Sequence, residues 1–145
     1  MKLITALLFS ITSFVCFAQN GYEIKVTLKP FKNQYIYLGN YYGRQLPIID
    51  SAKLNDKGEA IFKGDKKLGG GIYLIGYPDK AHHFEIVIDK SQRFSVMADT
   101  AKIQALTFQN SPENVEFKAY QDFMMKNGMA VDSLMKLRGK VSATD

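Results

Sequence analysis

At 145 residues, 46% of them apolar, the chain has the size at which one adequate hydrophobic core can be buried without a disulfide or metal to staple it. Its 19 basic and 14 acidic side chains give a mild net charge of +5, scattered along the chain with Lys63, Lys66 and Lys67 as the tightest group, which argues against a nucleic-acid partner. A single cysteine, Cys16, excludes an internal disulfide.

Residues 1–18 read as a secretory signal peptide: Lys2, then an apolar run over residues 3–17 interrupted by Thr5, Ser10, Thr12 and Ser13. That run is shorter than the roughly 20 residues a membrane-spanning helix needs, and no second one follows, so no transmembrane span is expected in the mature chain. Cys16 and Ala18, both small and two apart, place cleavage after Ala18 and leave Gln19 as the new N-terminus. The alternative, a lipoprotein modified at Cys16, meets a branched Val15 where a small residue is usual. The expected location is the periplasm or cell envelope. Cleavage after Ala18 removes Lys2 and the cysteine, leaving 18 basic against 14 acidic residues, a charge of +4, and no thiolate for disulfide exchange by this chain alone.

Tyr22, Ile24, Val26 and Leu28 alternate with Glu23, Lys25, Thr27 and Lys29, the period of a strand with one wet face, and Pro30 ends it. Residues 35–42 form a second strand between Asn33 and Gly43, and residues 47–54 a third. Asn55, Asp56, Lys57 and Gly58 read as a hairpin turn into residues 59–63, making the third and fourth strands antiparallel neighbours. Gly69, Gly70 and Gly71 separate this unit from a strand over 72–77, closed by Pro78 and Asp79. Residues 84–88 follow as an interior strand, and Asp89, Lys90 and Ser91 join it to 93–97 as another hairpin. Leu106 and Phe108 allow one more short strand. About 7–8 strands at eight-to-twelve-residue spacing predict a mainly β domain over 19–110, an antiparallel sandwich or barrel.

Character changes at Asn110. Ser111 suits a helix cap, Pro112 its first turn, and Glu113 the positive end of the dipole. Val115, Tyr120, Phe123, Met124, Val131, Leu134 and Met135 recur at helical spacing, so residues 111–138 are expected to pack one apolar stripe, as one helix or as two joined near Asn127 and Gly128. Lys136, Arg138 and Lys140 suit the negative end of the dipole, and residues 139–145 read as a tail. The segment has the look of a connector leading toward a further element.

Candidate chemistry is sparse. His82 and His83 are adjacent, so in a strand they point to opposite faces and make poor joint metal ligands; no metal site or cofactor is expected. Asp50 beside Ser51 falls in a strand where neighbours diverge, Gly-x-Ser-x-Gly is absent, and Asp79, Glu85 and Asp89 do not form a carboxylate pair, so no catalytic residue is assigned and the chain is expected not to be an enzyme. Gly69, Gly70 and Gly71 with Lys66 and Lys67 lack the following helix of a phosphate loop. Met124, Met125, Met129 and Met135 read as helix packing rather than a copper site. The candidate binding face is aromatic: Tyr35, Tyr37 and Tyr41 along one strand, with Tyr73 and Tyr77 nearby, able to stack on a glycan or contact a peptide.

The order GYEIKVTL, YIYLGNYYG, IIDSAKLNDKGEAIFKG, GIYLIGY and FQNSPENVEFKAYQDFM, over residues 21–137, resembles the N-terminal domain of unknown function found on exported thioredoxin-like thiol-disulfide oxidoreductases of Bacteroidetes. The recurrent residues of that family are matched here by Asp50, Ser51, Lys57, Gly58 and Phe62, and by Ser111, Pro112, Glu113 and Asn114. The resemblance implies a β-sandwich whose helical linker leads to a thioredoxin fold carrying Cys-x-x-Cys, a half this sequence lacks, so no catalytic residue carries over. It implies a non-catalytic accessory domain whose partner is a thioredoxin-like domain or another envelope protein. The alternative is a stand-alone cell-envelope binding protein that uses the tyrosine face for glycan or peptide.

Overall fold

The computed structural model describes residues 21–102 and 105–141; the signal peptide, its cleavage site, Cys16 and the tail beyond 141 lie outside them. Eight strands form two four-stranded sheets, followed by one helix: β1 (Tyr22–Lys29), β2 (Tyr35–Asn40), β3 (Ile48–Lys53), β4 (Glu59–Gly64), β5 (Gly71–Gly76), β6 (His83–Ile88), β7 (Arg93–Asp99), β8 (Leu106–Gln109) and α1 (Pro112–Val141). The mainly β fold with a C-terminal helix is therefore as the strand periodicity predicts. No helix among the described residues is long and apolar enough to cross a membrane.

One sheet runs β4-β1-β7-β8 and the other β3-β2-β5-β6. Their inner faces meet in one core, where Ile24, Val26, Leu28 and Phe62 of the first sheet oppose Ile36, Leu38, Ile75 and Ile86 of the second. The alternation read in β1 is the cause, because period two sends Tyr22, Ile24, Val26 and Leu28 inward and leaves Lys25 and Lys29 in water.

Pairing departs from the expected hairpins in two places. β3 pairs with β2 and β4 with β1, so the turn at 55–58 carries the chain from one sheet to the other instead of folding two strands together. The turn chemistry itself is present: Asn55 Oδ1 accepts from the Lys57 and Glu59 amides at 2.8 and 2.9 Å. What redirects the strands is burial of Leu54 between the sheets and the contact of Gly58 with β1, where its carbonyl accepts the Leu28 amide at 2.8 Å. At φ 77°, an added Cβ on Gly58 would sit 2.8 Å from the Phe31 carbonyl oxygen, so only glycine fits.

Likewise β6 and β7 belong to different sheets, and β7 lies parallel to β1, making that sheet mixed rather than antiparallel. Gln92 makes the crossing. Its buried side chain donates to the Leu68 and Asp89 carbonyls and accepts from the Leu68 amide, while its own carbonyl accepts the Glu23 amide.

The sheets are also tied at an edge, where the Tyr22 hydroxyl donates to Asp50 Oδ2 at 2.8 Å. Burial, then the hydrogen bond and charge of Asp50, push the Tyr22 hydroxyl up to about 12. The native state thus favours the protonated phenol. Its contribution is fully present below the ordinary tyrosine value of about 10 and is lost as pH rises from there toward 12. In an alkaline absorbance titration we expect a component near 12 that Tyr22→Phe removes, with stability declining over the same window; a Tyr22 midpoint near 10 would refute the assignment.

α1 is a single 30-residue helix that runs through Asn127 and Gly128 without a break and includes residues 139–141, which the sequence reading assigned to a tail. One glycine costs about 1 kcal/mol in a helix, too little to interrupt it. The expected packing of its apolar stripe does not occur among the described residues. α1 rests on β6 and β8 through its first turns only, and from Asp122 to Arg138 every side chain is exposed.

Candidate binding surface

The tyrosines of the expected face separate into four settings. Tyr35 and Tyr37 point outward from β2, as period two requires. Tyr41 follows a shift of register between Leu38 and Gly39, and its hydroxyl reaches across the sheet to donate to Glu85 Oε1 at 2.6 Å. That bond, and then burial, raise its pKa. Tyr73 turns the other way: it is 6% exposed, in the core, with its hydroxyl donating to the Gly69 carbonyl at 2.8 Å. Tyr77 is half-buried against Phe31 and Phe84, and burial raises its pKa. Tyr73 and Tyr77 are thus structural and do not join Tyr35, Tyr37 and Tyr41.

What does gather on the outer face of the second sheet is a shallow groove of about 130 Å³ floored by Gly39, Leu74 and Gly76. Tyr37, Leu46 and Ile48 line it together with Lys80, His82 and His83. Gly39, the register partner of Leu74, and Gly76, two residues further along β5 on the same face, bring no side chain to this part of the sheet, and that opens the groove above the buried Leu74. The Lys80 ammonium sits 4.9 Å from the Tyr37 ring centroid, holding the ring by a cation–π contact.

Beside the groove stands the β2–β3 hairpin. Tyr42 and Gln45 exchange backbone hydrogen bonds of 3.0 Å in both directions, with Gly43 at φ 61° completing the turn. This tight closure presents Tyr42, 73% exposed, and Arg44 at a fixed tip, with Leu46, Ile48 and Ile49 exposed behind them. Leu46, Ile48, Lys80 and the two floor glycines were not singled out by sequence reasoning. Their signals were a glycine inside a strand, which marks a bulge, and aliphatic residues crowded beside a turn.

The other polar groups considered for chemistry hold structure. Asp50 accepts from the Tyr22 hydroxyl and the Ser51 amide. Asp79 accepts from the amides of His82 and Ala81 and from His82 Nδ1 at 2.7 Å, which together lower its pKa to about 2. His82 and His83 are both exposed, and no group of three or more His, Cys, Asp or Glu side chains among the described residues is placed to hold a metal ion.

Ser111, Glu113 and Asn114 lock α1 to the sandwich. β6 is an edge strand, and the fully buried Asn114 completes it: Oδ1 accepts the Val87 amide while Nδ2 donates to the Val87 carbonyl and to Ser111 Oγ, each at 2.7 Å. Glu113 accepts from the Ser91 amide and hydroxyl, both at 2.7 Å. Burial works against its charge, but the bonds from Ser91, its own amide and Ser111 outweigh that and leave its pKa lowered.

A family model described as a domain of unknown function, DUF4369, matches residues 22–117, the whole sandwich plus the locked turns of α1. No curated protein matches the chain.

Proposed function

The chain belongs to the DUF4369 family of domains of unknown function, and from that footing we propose that it is a non-catalytic interaction domain that holds a protein partner in an exported thiol-disulfide oxidoreductase system. The observation that carries the reading is the β2–β3 hairpin, where Tyr42, Arg44, Leu46 and Ile48 stand exposed on a closed turn beside the Tyr37 groove. Tyrosine and arginine concentrate at protein interfaces because each supplies a large contact area with polar reach. A tyrosine on a rigid turn has only two torsions to order on binding.

The placement in a thiol-disulfide system rests on the sequence resemblance, and the exported location on the signal peptide. The chain after Cys16 holds no cysteine, so its contribution to such a system is by contact.

Calorimetric titration of the purified chain with an exported thioredoxin-like domain tests this. We expect saturable binding that the pair Tyr42→Ala and Arg44→Ala weakens by about 2 kcal/mol or more, with unfolding temperature unchanged. No heat with that partner, together with saturable tyrosine quenching by envelope glycans, would turn the reading to the stand-alone glycan binder.

A further inference from the structure

We infer that α1 carries a self-complementary stripe, centred on Asn127, that pairs antiparallel with the same stripe of a second copy of this chain.

The stripe begins where the anchor ends. Asn114 and Gln121, one turn-pair apart, face the sandwich, Gln121 donating to Glu85 Oε2 at 3.1 Å. Tyr120, Phe123, Val131 and Leu134 lie on another face and are 58%, 62%, 49% and 66% exposed. Docking to the sandwich and pairing with a second helix therefore use different sides of α1. A helix this long with one apolar side in water lacks the tertiary packing that ordinarily supplies most helical stability.

The sequence of the stripe identifies its occupant. Four residues either side of Asn127 stand Phe123 and Val131; seven either side stand Tyr120 and Leu134; eleven either side stand Glu116 and Arg138. Offsets of four, seven and eleven return to one face of an α-helix, so all six share a side with Asn127. A two-fold axis at Asn127 sets each residue against its counterpart: aromatic against branched aliphatic in the middle, carboxylate against guanidinium at both ends.

In a parallel pair the same positions would oppose Glu116 to Glu116 and Arg138 to Arg138, which repel. Among the described residues neither side chain forms an ion pair within its own chain. At the axis, Gly128 has open space where a side chain would stand, and Asn127 pairs with its own copy, a polar centre that fixes register. From Glu116 to Arg138 the contact runs about 33 Å at 1.5 Å per residue.

Sedimentation equilibrium on the purified chain gives the test, with circular dichroism confirming that each variant is folded. The chain should be a dimer. Glu116→Arg or Arg138→Glu alone should each weaken association by about tenfold, and the double reversal should restore it, since both cross-pairs re-form. A cysteine placed at Asn127 should cross-link two chains readily in a Cys16→Ser background, while one placed at Leu134 should not. A chain that stays monomeric, a double reversal no better than the singles, or equal cross-linking at the two positions would overturn the inference. A chain that binds a thioredoxin-like domain without self-association would equally overturn it while leaving the proposed function standing.

Discussion

Replacing Asn114 by alanine should lower the unfolding free energy by about 3 kcal/mol and detach α1 from the sandwich. The residue is fully buried and makes three hydrogen bonds, two of them to the backbone of Val87. Alanine leaves the Val87 amide, the Val87 carbonyl and the Ser111 hydroxyl without these partners, and each such loss costs about 1–3 kcal/mol before water fills the gap. Refilling by water keeps the total near the lower end of that sum. Asn114→Asp should be no better, because a carboxylate oxygen would then face the Val87 carbonyl that now accepts an N–H. A fall of about 10 °C in unfolding temperature is the expected reading, together with faster hydrogen exchange at Val87 and along the first turns of α1. Unchanged exchange at Val87 would show that the edge of β6 is closed by something else.

The same residues show what was legible in the sequence. Ser111, Pro112 and Glu113 announce a helix start, since cap, first-turn proline and first-turn acid are local devices. The second role of this segment, Asn114 gripping Val87 and Glu113 gripping Ser91, was not legible, because nothing local states which part of the sandwich the helix end will meet. The strands divide in the same way. Alternation, apolar and aromatic runs and the turn residues between them marked the strands, yet the turn at 55–58 has identical chemistry whether its strands pair or part, and only the burial of Leu54 and the approach of Gly58 to β1 decide the matter.

The tyrosine face was half legible. β2 alternates, so Tyr35 and Tyr37 fall outward. β5 reads Ile72, Tyr73, Leu74, Ile75, a continuous apolar run with no phase of its own, and its pairing sets Tyr73 in the core while Leu74 floors the groove. The α1 stripe was visible from spacing alone, and among the described residues it finds no packing partner because the anchor takes a different side of the helix.

The two proposed contact surfaces can be tested separately. The hairpin and the α1 stripe share no residue, so Tyr42→Ala with Arg44→Ala should leave self-association intact, and the Glu116 and Arg138 reversals should leave partner binding at one site per chain intact.

Phe62→Ala should be the most damaging single change, about 3–5 kcal/mol, because of where the ring sits in the register. Phe62 pairs with Ile24 of β1, and Ile24 pairs in turn with Phe94 of β7, so one inward-facing row crosses three strands of the mixed sheet. All three side chains are buried, Phe62 and Ile24 completely. Removing the ring at one end of the row withdraws contacts from Ile24 and from the facing sheet at once, and close-packed neighbours relax only partly into the space. A domain of this size has roughly 5–15 kcal/mol in total, so the variant should sit near the edge of folding at physiological temperature. Ile61, the next residue on β4, is 53% exposed on the outer face, and Ile61→Ala should cost well under about 1 kcal/mol. Denaturant midpoints for the two variants, one residue apart, measure the difference between the faces of β4; equal losses would mean that β4 does not present Phe62 to the core and that the pairing of β4 with β1 is wrong.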